Sequence, residues 1–211
     1  MAGVADNVVE QVEAHLVKQF GGPPAGAASV TFLGLEPIVV QAFVAAPPGP
    51  REPAAAGGGD TLLHLVSVGC SRAPMADPTE MVADPQRGPR AEIVVALRPT
   101  GGGVPAGLHR SVAVLAAAPA VEGVVLAADG IIDLAEPMWQ GSAFTAVLLG
   151  GSAVPDLDLA PPRDPVRFLE AVPLTATEAA WVRVRGADEL RAAWAEAQVD
   201  PRDPARRAVA L

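Results

Sequence analysis

TLLHLVSVGCSRAPM, residues 61 to 75, is the stretch from which the rest of the chain is read. Its first half is mostly apolar and rich in leucine and valine, which fits a strand buried on both faces. At Gly69 the run gives way to small and polar residues, a turn signal. In an extended chain His64, Val66, Val68 and Cys70 share one face, while Leu63, Leu65 and Ser67 share the other. A histidine and a cysteine on one face invite a nucleophile pair. Six residues of strand hold them roughly 20 Å apart at about 3.3 Å per residue, however, far outside hydrogen-bond reach. The stretch therefore predicts a central strand and a shaped turn, with Cys70 a structural thiol.

Composition sets the outer limits. A chain of 211 residues, 50% of them hydrophobic, can bury one sizeable core, and a single domain over 1–211 is expected. The 22 prolines and 21 glycines are gathered in patches, which places long loops on an ordered body. One cysteine excludes an internal disulfide framework, and the first residues lack the basic start and apolar run of a secretory signal. No stretch reaches the roughly 18 apolar residues a membrane helix needs, so a cytoplasmic protein without membrane contact is expected. The net charge of −9 repels a phosphate backbone, and without tyrosine there are few rings for bases to stack on. Nucleic acid is thus excluded as a partner, and a basic protein is favoured.

Along the chain, Val4, Val8, Val12, Leu16 and Phe20 recur at helical spacing, with Asp6 or Asn7 to cap and Gly21 onward to stop. Residues 30–34 and 38–45 read as a hairpin around Glu36 and Pro37. Residues 46–60 read as a flexible excursion, and 71–90 as a Pro-rich loop able to line a groove. Residues 91–97 predict a strand, followed by a helix from Leu108 to Ala118 that ends at Pro119. The Asp129-Gly130 pair predicts a hairpin folded within 124–134. Strands are expected at 144–149 and 166–172. Thr175 and Glu178 have capping-box spacing ahead of a short helix, and a last helix over 187–198 carries Leu190 and Trp194 inward. Residues 199–211 are expected to fray.

Few residues bear the marks of chemistry. His15 reads as a helix-boundary residue and His109 as a solvent-facing one, neither with a partner motif. Gly101–Gly103 are followed by neither Lys-Ser nor Lys-Thr and fit no dinucleotide fingerprint, so they read as a loop. Asp156 and Asp158, two apart in an extended segment, place two carboxylates on one side. A lone pair without other oxygen ligands reads as a solvated acidic loop before a cation site or a glycosidase pair. No catalytic, cofactor-binding or metal-ligating residue is assigned.

The ordered set of HLVSVGCSRAPM, AEIVVAL, the helix ending at Ala118-Pro119, the Gly130 turn, FLEAVPLTATEAAW and GADELRAAW resembles the suppressor-of-fused domain family over residues 28 to 197. Cys70 stands where the family pattern has a larger apolar residue, and the 107–119 helix lacks the family's aromatics. The resemblance implies an α+β fold with a mixed, largely antiparallel central sheet flanked by helices. It also implies a binding protein: animal members sequester a transcription-factor peptide with the help of a second lobe, and many bacterial members look like immunity proteins that neutralise a toxin.

The expected function is therefore a non-catalytic antagonist that neutralises a basic protein, such as a toxin, by stoichiometric binding, with Asp156 and Asp158 as partner-facing charges and no cofactor. An interaction or scaffold domain is the first alternative. An enzyme comes last, because the sequence has no Gly-x-Ser-x-Gly, no His-Glu-x-x-His and no clustered Cys/His set.

Overall fold

The computed structural model describes residues 7–46, 61–76, 84–101 and 103–210. The opening stretch forms strand β3, Leu62–Val68, whose seven residues are all buried. It stands between β2 (Ile38–Ala45) and β4 (Arg90–Leu97) in a seven-stranded sheet of order β1-β2-β3-β4-β7-β6-β5, where β1 is Gly26–Val30, β5 Ile131–Asp133, β6 Phe144–Gly151 and β7 Val166–Thr175. Neighbours run antiparallel except β4 and β7, which are parallel with Arg90 opposite Val166. The sheet is thus mixed and largely antiparallel.

Residue parity sorts the helices. Leu63, Leu65, Ile93, Val95, Val147 and Ala171 face helix α2, Leu108–Glu122. The opposite face is shared. Val66, Val68, Val94 and Phe168 meet helix α1, Val8–Phe20, through its buried stripe of Val8, Val12 and Leu16. Further along, Ala146, Leu148 and Leu174 meet α3 (Ala176–Arg185) and α4 (Ala187–Glu196). The helix signals hold in detail: the Asn7 side chain accepts the Val9 N–H, and Gly21 closes α1 at φ 75°. Thr175 and Glu178 form the reciprocal capping box.

Four expectations change. The first strand is 26–30 and not 30–34, because residues 32–35 form a turn in which the Leu35 N–H reaches the Phe32 carbonyl and Gly34 takes φ 80°. An edge strand of Gly, Ala and Ser carries no apolar signature to read. Helix α2 passes through Pro119 to Glu122 and stops at Gly123, φ 70°, whose N–H bonds the Pro119 carbonyl. Proline removes one bond from the last turn and leaves the rest intact. The Asp129-Gly130 turn forms, with Asp129 at φ 66°, but no hairpin folds within 124–134. Ile131–Asp133 pair instead with β6, while Val124 and Val125 stay exposed.

The fourth change is the C-terminal segment, which packs where fraying was expected. The Arg98 N–H bonds the Arg202 carbonyl at 2.8 Å, Arg202 grips Glu170, and Arg206 and Val209 are buried. The excursion placed at 46–60 lies, beyond Ala46, outside the described residues.

Candidate functional site: an apolar groove beside a clamped turn

Arg90 and Glu92 sit two apart on β4, so both project toward the turn that follows β3. Both are buried. The Glu92 carboxylate accepts five hydrogen bonds, from the Ser67 hydroxyl (2.5 Å), the Ser71 hydroxyl (2.6 Å) and the N–H groups of Gly69 (2.9 Å), Ser71 (3.0 Å) and Cys70 (3.3 Å). Ser67 in turn accepts the Ile93 N–H at 2.8 Å. Arg90 Nη1 holds the other side of the turn, donating to the carbonyls of Ser71 (2.7 Å) and Arg72 (2.9 Å). One carboxylate gathers the donors and one guanidinium the acceptors, which fixes a short 3-10 turn over Cys70–Arg72. Gly69 makes the bend at φ 126°, where a Cβ would also press within 3.1 Å of Arg72 Nη1. Burial pushes the Glu92 carboxyl up, and the hydrogen bonds from Ser67, Ser71 and Gly69 pull it back.

The clamped turn forms one wall of a groove of about 490 Å³. Cys70 and residues 73–76 line that wall, Leu35 and Ile38 the second, and Ala116, Ala117, Pro119 and Ala120 of α2 the third. The loop expected to line a groove does so in its described part. Met75 is fixed by its N–H on the Pro89 carbonyl and by its sulfur, which accepts the Leu126 N–H. At the rim Arg72 pairs with Glu36 at 3.0 Å. Val121 in the last turn of α2 and Val124 and Val125 just after it are exposed apolar side chains. Such a wall is suited to aliphatic side chains, with an Arg72–Glu36 ion pair at its lip.

Cys70 is half-buried on this wall. Burial first, and the Glu92 charge second, push its thiol well above the ordinary range, so it is protonated and a poor nucleophile. His64 lies toward the other end of β3, buried against the Phe20 ring at 4.9 Å, with its Nε2 unpartnered among the described residues. Burial lowers its pKa to about 4. The two residues are not brought together. His15 is half-buried, stacked 5.4 Å from Phe168 with Nε2 2.8 Å from the Pro155 carbonyl. His109, expected to face solvent, is half-buried, which lowers its pKa.

Asp156 and Asp158 are both exposed, flanking Leu157, which turns inward and bridges Val166 in both directions at 2.9 and 2.8 Å. They lie on the α1 side of the sheet and do not line the groove. No grouping of three or more metal-ligating side chains occurs among the described residues, and no helix among them is long and apolar enough to cross a membrane.

Sequence reasoning missed Arg90 and Glu92. The signal was present: a glutamate inside RAEIVVAL must be buried if the strand is, and a buried carboxylate needs donors. It also missed Arg206, whose guanidinium reaches Glu178 at 2.6 Å with both side chains buried. Nothing local to Arg206 marks it.

No match is found among curated proteins. Among solved structures, a suppressor of fused homologue from Neisseria gonorrhoeae aligns at TM-score 0.61 and 18% identity over 99% of both chains. The structure of the Sufu–Fu complex aligns at TM-score 0.65 and 12% identity, covering 97% of this chain and 92% of that one. Drosophila Suppressor of Fused aligns at TM-score 0.57 and 14% identity, with 83% of this chain covering 44% of that protein. These likenesses share the fold described above. The family model for Suppressor of fused protein matches residues 50–207, three quarters of the sequence, and the chain therefore belongs to the suppressor of fused family.

Proposed function

We propose that this protein is a non-catalytic antagonist that binds another protein stoichiometrically, with the apolar groove beside the clamped turn as its principal contact surface. The observation that carries the reading is the groove itself: about 490 Å³, walled by aliphatic side chains, and held open by a turn whose backbone is fixed from both sides. A preformed apolar wall loses little entropy on binding and suits apolar side chains of a partner. The buried ionisable groups beside it are engaged in structure: Glu92 and Arg90 hold the turn.

The family supports the same class of function, being one of protein-binding regulators, and a related structure is that of a complex between Sufu and Fu. In the immunity-type form of the reading, the partner is a toxin more basic than this chain of charge −9. Asp156 and Asp158, exposed on the α1 side, then steer the approach of that basic partner without filling the groove.

The test is co-expression with the product of the adjacent gene, followed by copurification and light scattering. Ala73 and Ala120 line the groove and are exposed, so Ala73→Arg and Ala120→Arg fill it without disturbing the core. Both variants are expected to fold and to lose the complex. Retention of the complex by both would remove the groove from the interface.

A further inference from the structure

Arg72 and Glu36 face a second cavity as well as the groove. This one has about 530 Å³ and is lined by Asn7, Val8 and Val9 at the start of α1, by Gln86, and by three arginines, Arg72, Arg90 and Arg163. Arg90 is the unusual member, only 3% exposed. Its Nη1 donates to the carbonyls of Ser71 and Arg72, its Nη2 to that of Gln86 at 3.3 Å, and its Nε has no partner among the described residues. All three acceptors are neutral. A cation withdrawn from water whose hydrogen bonds all go to neutral carbonyls is stabilised by a nearby anion.

Among the described residues, the carboxylates near the cavity each have a partner. Glu36 is 76% exposed and pairs with Arg72. Asp164 accepts the Gly88 N–H at 2.8 Å, Asp84 accepts those of Gln86 and Arg87, and Glu10 accepts from the Asn7 side chain. Burial and the neighbouring Arg163 charge lower the Arg90 pKa, with Asp164 opposing them. The 13-residue helix α1 adds the partial positive charge of its N-terminus.

We propose that this cavity is an oxyanion site that takes a phosphate or phosphoryl group, held by Arg72, Arg90 and Arg163 against the N-terminus of α1. Guanidiniums match the paired oxygens of such a group, and the helix end adds its dipole. The site needs no assumption about the protein partner, since its ligand can be tested alone.

The experiment titrates the full chain with inorganic phosphate at constant ionic strength and follows backbone amides by NMR, with sodium chloride as the control. Saturable shifts are expected at Val8, Val9 and Gln86. Arg163→Gln and Arg72→Gln should keep their melting temperatures in phosphate-free buffer and weaken binding about ten-fold or more. Arg185→Gln, on α3 and away from the cavity, should titrate like the parent. A parallel titration with O-phosphoserine names the source: tighter binding than free phosphate assigns the site to a phosphoryl group carried on a protein, weaker binding to the free anion, and either supports it. Shifts that fail to saturate with both ligands, shifts equalled by chloride, or Arg163→Gln titrating like Arg185→Gln would overturn the proposal.

Discussion

Glu92 shows how one residue can shape a surface it never reaches. Its carboxylate is buried, yet it sets the path of the chain from Ser67 to Ser71 and so the wall on which Cys70 sits. Glutamine at this position has one acceptor oxygen, and its amide would set two donors against the N–H groups of the turn. Glu92→Gln should therefore lower stability by about 3 kcal/mol in urea unfolding, the range for orphaned buried donors. A loss below about 0.5 kcal/mol, the range of ordinary surface changes, would mean that the turn holds itself.

His64 makes a pH prediction. Its folded pKa of about 4 lies below the ordinary 6.5, so between those values the unfolded chain binds more protons and stability rises with pH. Acidifying from pH 6.5 to 4 should cost about 3 kcal/mol through this group, and below pH 4 the full penalty stays. In His64→Leu the stability curve should be flatter across that window. Cys70→Ala, by contrast, should leave partner binding intact, and thiol reagents should label the native protein slowly. Rapid labelling with loss of binding would reassign the thiol.

Among the elements, the fate of α3 turns on a residue far along the chain. Thr175 and Glu178 close its first turn, and the Glu178 carboxylate also accepts Trp194 Nε1 of α4 at 3.0 Å and the buried Arg206 guanidinium. The Arg206 and Trp194 hydrogen bonds, with the Thr175 N–H, hold the Glu178 pKa below its ordinary value against the opposing effect of burial. Removing the cation leaves a buried carboxylate uncompensated. Arg206→Met should cost roughly 3–5 kcal/mol by denaturant titration, and ending the chain at residue 198 at least as much. A truncated chain as stable as the parent would show the segment to be dispensable.

The same elements show what the sequence discloses. Strands β3, β4, β6 and β7 are mostly buried and mostly apolar, and the caps of α1 and α3 are local chemistry, so all were legible. Two misreadings were local, the Gly-Ala-Ser edge strand β1 and the passage of α2 through Pro119, and two depended on distant competition. The Asp129-Gly130 turn formed but its following strand chose β6, and the last dozen residues were held by Glu170 and Glu178. The groove was legible in outline through its Pro-rich loop, but its clamp, Arg90 with Glu92, was hidden inside a strand read only for its apolarity.

At the scale of the whole molecule, the proposed mode of binding assigns separable contributions to the net charge of −9 and to the groove. Exposed carboxylates act over about 10 Å at 0.1 M salt and chiefly change the rate of encounter. Reversing Asp156 and Asp158 to Lys should slow association with a basic partner at low salt and matter much less at 1 M, where the screening length falls to about 3 Å. Groove variants should instead speed dissociation at any salt. An association rate indifferent to salt would remove the two aspartates from the encounter.

Stoichiometry separates an antagonist from an enzyme most directly, because an antagonist is consumed by its partner where an enzyme turns over. The decisive measurement is residual partner activity, for a toxin its effect on growth or on its target, as this protein is titrated against a fixed amount of partner. Activity should fall linearly, end at molar equivalence, and return as soon as partner is in excess. Full neutralisation at a small fraction of one equivalent would contradict stoichiometric binding and make the protein a catalyst.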